Sequence, residues 1–278
     1  ARSGQWFCAI LFFMGAQNSE VTPTTGTGTT RSTGYVARPL IEGFPGKSTS
    51  HGAFGWSSLW LLDDGVRRVL IDAGQPAYIP LIHAGLERYG LTTDDVTDVL
   101  LTHMHWDHVS NFPMFANATT WVSEQELRWA ADQPAGTPFI PDLHVQELLR
   151  RTHGVERMSG GQEVLPGIHV IDSPGHTPHH LAFHLERADE QRVFAGDAVK
   201  NVYELGSGRV DSTLDADASA ATIVALRSLL TDTGATLVPG HDVALRWENG
   251  EARRQYPQRA AIGYFADATH GEEDRSIG

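Results

Sequence analysis

Cysteine is almost absent from this chain. A single one, Cys8, occurs in 278 residues. No intramolecular disulfide can form, and packing is the expected role of that lone thiol. Clustered basic charge is missing too: Arg67-Arg68, Arg150-Arg151 and Arg253-Arg254 are short, scattered pairs, and the formal net charge is −13. A polyanion would meet a repulsive field, so nucleic acid is not an expected partner. No apolar run reaches the roughly 18 residues that a membrane span requires, so a bilayer is not expected either. The run Trp6 to Met14 follows Arg2 and precedes Gly15-Ala16, the layout of a signal-peptide core. Its aromatics read better as a buried first strand. A cytoplasmic location is therefore expected, with secretion or a periplasmic location left open.

What is present is ordinary for a globular protein: 41% hydrophobic and 20% charged residues. The length suits one large α/β domain or two small ones, and no linker that would divide the chain is visible. Residues 1–34 read as an N-terminal strand and a Thr/Gly-rich loop (20–34) belonging to the same domain, and 35–278 as its main body. Apolar runs at 57–62 and 66–72 flank Asp64-Gly65, a hairpin turn. Pro76 opens a helix to about Tyr89, which Gly90 stops. Val96 to Thr102 is a short buried strand, and Thr119 to Val122 another. Ser123 with Glu126 forms a capping box for a helix over 124–131. A proline-rich loop (132–141) leads to a helix over 142–151. Three strands follow at 168–172, 181–185 and 192–195. Asp215 or Asp217 caps a helix through Leu230, Leu237-Val238 is a short strand, and a last helix is expected near 251–266. Strands followed by strand–helix alternation, twice, fit a layered α/β domain.

Histidine is the unusual count, at 14. Several fall in one motif, His103-Met104-His105-Trp106-Asp107-His108. Alternate residues of an extended segment share a face, so His103 and His105 point together. Asp107 and His108 lie beyond them, in a loop, within reach of a second ion. Four such groups crowded behind an apolar strand are costly to bury with nothing to hold. Three further pieces repeat one arrangement: Pro174-Gly175-His176-Thr177, Ala195-Gly196-Asp197 and Pro239-Gly240-His241. In each, a hydrophobic strand ends, a glycine makes room, and a metal-ligand type follows. Imidazole and carboxylate together suit zinc, and also iron or manganese.

The series resembles the metallo-β-lactamase superfamily over roughly residues 57–242: an HxHxDH motif, a histidine in a PGHT turn, an aspartate after a GD step, and a late histidine. The resemblance implies an αββα sandwich, two mixed sheets flanked by helices, with residues 35–278 as the catalytic domain. It implies two Zn2+ ions per chain (iron or manganese being possible), one held by His103, His105 and His176. The other is held by Asp107, His108 and His241, with Asp197 bridging. Asp72 matches the aspartate that orients the site from behind. Two ions about 3.5–4 Å apart share a bridging water whose hydroxide attacks the substrate, and Asp107 handles the proton.

Departures within the superfamily narrow the substrate. Zinc β-lactamases usually lack an aspartate at Asp197, and flavodiiron proteins carry glutamate at the place of His105. Glyoxalase II adds a helical domain, whereas 37 residues follow His241. What remains looks like the N-acyl-homoserine lactonases and the hydrolases resembling methyl parathion hydrolase. The expectation is a hydrolase of a small-molecule ester or lactone. Alternatives are a phosphotriester or thioester hydrolase, or a mononuclear iron dioxygenase. Lactonases carry a tyrosine three residues after the bridging aspartate; here that residue is Lys200, with Tyr203 nearby. Tyr203, His179 and Trp106 are candidate substrate contacts. Phe44, Phe54, Trp56, Phe112 and Phe139 are candidate pocket aromatics. The expected partner is a small molecule, and a homodimer stays open.

Overall fold

The computed structural model describes residues 34–47, 54–187, 190–265 and 272–277. Cys8, the expected strand at Trp6–Met14 and nearly all of the Thr/Gly-rich loop lie outside the described residues. Six strands form the first sheet in chain order: β1 (Val36–Ile41), β2 (Leu59–Asp63), β3 (Arg68–Ile71), β4 (Asp98–Leu100), β5 (Thr119–Ser123) and β6 (Val155–Met158). β1 to β3 are an antiparallel meander, and β3 to β6 run parallel. The second sheet holds β7 (Glu163–Leu165), β8 (Ile168–Asp172), β9 (Leu181–Leu185), β10 (Arg192–Gly196), β11 (Thr236–Pro239), β12 (Leu245–Glu248) and β13 (Glu251–Arg254). Only its β10–β11 pair is parallel. Helices are α1 (Ile79–Glu87), α2 (Trp106–Val109), α3 (Glu124–Ala131), α4 (Asp142–Arg150), α5 (Val202–Ser207) and α6 (Ala216–Thr233).

Strand periodicity explains the layering. Side chains alternate faces, so a strand apolar at every position must be covered on both sides. Leu59, Leu61, Leu70 and Val99 turn one way and pack on Ile82, Leu86, Leu127, Val145 and Leu148 of α1, α3 and α4. Trp60, Leu62, Val69, Ile71 and Leu100 turn the other way and meet Val170, Phe183, Phe194 and Val238 of the second sheet. Val193, Ala195 and Leu237 face outward from that sheet onto Ile223, Leu226 and Leu230 of α6. Helix, sheet, sheet, helix is the αββα order expected from the sequence.

Strand direction then gathers the site. β3 and β4 run parallel. β8, β10 and β11 share one direction, since β9 is antiparallel to both β8 and β10. The residues after these five strands include Asp72, the 103–108 motif, His176, Asp197 and His241.

The expected helix near 251–266 is absent. Glu251–Arg254 pairs antiparallel with Leu245–Glu248, and β14 (Ala260–Phe265) pairs with β15 (Glu272–Ile277). The overlooked signal is Asn249-Gly250, with φ of +54° and +80°. Two consecutive positive φ values define the tight two-residue hairpin turn that Asn-Gly favours. Asp107 and His108 sit on the single helical turn α2 rather than in an irregular loop. Phe112 is no pocket residue: it is buried in the helix-side core, with the Arg151 guanidinium 4.9 Å from its ring. The N-terminus of α3 is only half a capping box. Ser123 Oγ accepts the N–H of Glu126 at 3.2 Å, but the Glu126 carboxylate turns elsewhere.

Candidate metal centre

All seven ligand-type residues converge. They form three overlapping groups, His103/His105/His176, His103/His108/Asp197 and Asp107/His108/His241, with the donor atoms of each group within 4.8 Å of one another. Asp197 stands between two sides. Its Oδ2 lies 3.2 Å from His176 Nε2, and its Oδ1 lies 3.3 Å from His108 Nε2 and 3.2 Å from His241 Nε2. Asp107 Oδ2 lies 3.4 Å from His241 Nε2 and 3.6 Å from His108 Nε2.

Two of the imidazoles, His103 and His108, are oriented from behind. Asp72, at φ +62°, accepts the Thr102 N–H at 2.8 Å and the Thr102 hydroxyl at 3.0 Å, and its Oδ2 lies 2.7 Å from His108 Nδ1. The Thr102 hydroxyl gives its proton to Asp72, so it accepts from His103 Nδ1, 3.0 Å away. Both Nδ1 atoms therefore carry hydrogen, which makes Nε2 of each ring the atom that faces inward to meet a cation. One carboxylate sets two tautomers. Asp72→Ala is expected to weaken metal affinity by about 10–100-fold, read by chelator competition on the purified variant. Unchanged affinity would remove Asp72 from this role.

The inward atoms fit a cation. His103 Nε2, His108 Nε2 and Asp197 Oδ1 are buried without a hydrogen-bond partner, a cost of about 1–3 kcal/mol each if nothing binds them. Protonation divides along the same lines. Burial, reinforced by neighbouring histidines, holds His103 well below the usual range. Burial likewise pushes His105 down to about 4 and His176 well down, outweighing Asp197. These three are neutral donors at pH 7. Burial also opposes charge on His108 and His241, but the carboxylates of Asp107 and Asp197 win and raise both. Asp197 is pulled well below the usual carboxylate range by His241, His108 and His176 despite its burial.

Two glycines make the approach possible. A Cβ on Gly240 would stand 2.1 Å from Asp197 Oδ1. Gly196, at φ +48°, would put a Cβ 2.9 Å from His180 Nε2 and from the Thr102 side chain. A side chain at Gly240 would displace Asp197 itself, and one at Gly196 would displace the His180 and Thr102 supports behind the ligands.

Sequence reasoning missed the supports. His180 is buried, accepts the Asp197 N–H at Nε2 (3.1 Å), and has Nδ1 2.8 Å from Ser173 Oγ. Burial drives its pKa down to about 3, so it stays neutral. Glu126 is fully buried and accepts the N–H of Met104 and of His179, each at 3.2 Å. It joins the 103–108 loop to the His176 turn, and its burial raises its pKa to about 7. Its sequence signal was hidden by the capping-box pattern.

The candidate substrate contacts are spread out. Trp106 is half-buried, and its backbone N–H donates to Phe139 O at 2.9 Å. Phe139, with φ +72°, lays its ring 5.6 Å from the His105 ring. Phe44 stacks on Trp56 at 4.7 Å, with Phe54 edge-on to both. Next to that cluster, Ser57 Oγ donates to Asp107 O at 2.6 Å. His179 is half-buried and meets Glu126 through its backbone. Tyr203 is 60% exposed at the start of α5.

Comparison with known proteins agrees with this geometry. The Metallo-beta-lactamase superfamily description matches residues 54–241, and the chain belongs to that superfamily. It is 33% identical over 161 residues to the hydroxyacylglutathione hydrolase of Xanthomonas oryzae pv. oryzae, covering 57% of this chain and 51% of that protein. It is 22% identical over 174 residues to the N-acyl homoserine lactonase of Bacillus thuringiensis, covering 62% and 65%. The chain spans about half the length of the first curated relatives it matches. The solved structure of an N-acyl homoserine lactone hydrolase, with the product N-hexanoyl-L-homoserine bound at its catalytic metal center, superposes with a TM-score of 0.60. That pair is 18% identical and covers 76% of this chain and 93% of the other. Among the described residues, no helix is long and apolar enough to cross a membrane.

Proposed function

We propose that this chain is a zinc-dependent hydrolase of a small-molecule ester or lactone, working with two ions. The observation that carries this reading is Asp197, whose two oxygens face different histidines on either side. His103, His105 and His176 would hold one ion, and Asp107, His108 and His241 the other, with Asp197 shared. Such a pair supplies an activated water near neutral pH and polarises the oxygen under attack. The chain does the rest. Asp72 and Thr102 fix the donor tautomers, and His180 fixes the Asp197 backbone. Asp107 is only partly buried at the mouth of the site, placed to take the proton that the attacking water gives up. No serine or cysteine nucleophile is required. The relatives include both an N-acyl homoserine lactonase and a hydroxyacylglutathione hydrolase, which supports an acyl substrate, with a thioester as the alternative to an ester or lactone.

The test is turnover by the zinc-loaded protein on lactones, aryl esters, thioesters and phosphotriesters, with metal content measured alongside. Two zinc ions per chain and fastest turnover of lactones or esters are expected. Inactivity across the panel sinks the proposal. A single iron per chain with oxygen consumption would replace it with dioxygenase chemistry.

A further inference from the structure

The ligand-type residues reach the centre on one segment after the first sheet's β4, residues 103–108, and on turns of the second sheet at His176, Asp197 and His241. Two sets of hydrogen bonds cross between the sheets here, and they hold different ligands.

The first set is made by Glu126. Its Oε1 accepts the N–H of Met104, which lies between His103 and His105. Its Oε2 accepts the N–H of His179, three residues after His176. A fully buried carboxylate is costly unless donors meet it, and these two donors come from different sheets. The ligand atoms they carry are close: His105 Nδ1 and His176 Nε2 lie 3.0 Å apart.

The second set is made by Ser57 and Ser58, both buried, where the chain enters β2. Consecutive residues of an extended chain point to opposite faces, and these two hydroxyls do so. Ser57 Oγ donates to Asp107 O at 2.6 Å, and the Ser57 N–H donates to the Tyr78 hydroxyl at 2.7 Å. Ser58 Oγ donates to Pro239 O at 2.7 Å, and the Ser58 N–H donates to Gly240 O at 2.7 Å. This link joins Asp107 of one sheet to the His241 turn of the other. The two sets meet only in the 103–108 segment, where α2 begins between Met104 and Asp107. Asp72 is different, because it serves His103 through Thr102 and His108 directly, one ligand of each triplet.

We propose that the two metal pockets are positioned independently: Glu126 sets the pocket of His103, His105 and His176, and Ser57 with Ser58 sets the pocket of Asp107, His108 and His241. All three are positioning residues, acting on the backbone that carries the ligands. The proposal rests on the two-ion reading above. Its consequence is that the affinity of either ion is tunable without the other.

The experiment titrates metal-free wild type, Glu126→Gln, Ser58→Ala and Asp72→Ala with zinc against a competing chelator. Imidazole nitrogen NMR spectra show which histidines bind at each step, and melting temperatures are measured on the metal-free proteins. Glu126→Gln keeps the shape but turns an NH2 toward one of the two N–H donors. It is expected to weaken the ion seen by His105 and His176 about tenfold or more, and the ion seen by His241 less than about threefold. Ser58→Ala is expected to do the reverse, and Asp72→Ala to weaken both. A merely structural loss lowers both affinities alike. Equal weakening of the two ions, or no change, in Glu126→Gln or in Ser58→Ala overturns independent positioning and leaves the two-ion reading intact. If one of these variants does not fold, the other decides by the same criterion. A wild type that binds one zinc ion or none overturns the two-ion reading, and this assignment with it.

Discussion

Asp197→Ala is expected to drop the zinc content from two ions per chain to one or none and to cut kcat/KM by about three orders of magnitude or more. Asp197 faces both sides of the centre, at 3.2 Å from His176 on one side and 3.2 Å from His241 on the other. Its removal leaves Asp107 as the only carboxylate shared by His108 and His241. It also takes a bridging ligand from both ions at once. The backbone N–H bond to His180 is untouched by the substitution, so a folded, metal-poor protein is the expected product. Asp197→Asn keeps the shape and loses the charge, and should show the same metal loss in milder form. Elemental analysis and steady-state rates on purified variants check both. An Asp197→Ala protein with full turnover would show that the two halves of the site do not share this ligand.

Chelation of the wild type is expected to abolish activity and lower the melting temperature by on the order of 15 °C. Each ion held at about a thousandfold over its dissociation constant adds about 4 kcal/mol, and a domain of this size moves about 2–4 °C per kcal/mol. The chelated protein should have a distinctive pH dependence. His105 is lowered to about 4 from 6.5, and His103 and His176 are lowered as well. These groups cost stability as pH falls below the unfolded value and charge builds up in the unfolded chain first. His108 and His241 are raised, so their contribution is present below the unfolded value and fades as pH rises through their folded values. The chelated protein should therefore be most stable around the ordinary histidine pKa, about 6.5. Returning zinc near neutral pH should release protons from His108 and His241, whose pKa values are raised, and none from His103, His105 and His176, whose values are lowered. Thermal melts across pH and a proton-release titration in weak buffer read this directly. Release of four or five protons would mean that the buried histidines are charged before zinc arrives.

Much of the fold was legible because its strands are apolar on both faces. Runs such as 57–62 and 96–102 could only be buried between layers. The C-terminal hairpin was not: Leu245-Arg246-Trp247-Glu248 alternates apolar and polar residues, but the run is only four residues long and its partner Glu251-Ala252-Arg253-Arg254 is almost wholly polar. There the turn residues Asn249-Gly250 decided the structure, not the strand composition. Glu126 was legible as a helix-start residue and misread in its partner. A backbone N–H two strands away competes for a carboxylate as well as the local one does, and no local pattern records which wins.

By itself the sequence determined which atoms can bind a metal. Ligand types stand within a few residues past the end of apolar strands, from Asp197 directly after β10 to His108 at the far end of the motif that follows β4, and that spacing is local. Only the tertiary structure decided what holds those atoms in place. Asp72 meets Thr102 and His108 from 30 and 36 positions away, Glu126 reaches Met104 and His179 across 22 and 53, and the Ser58 N–H donates to Gly240 O. Such contacts depend on strand order and direction, which set distances in space that no interval along the chain contains.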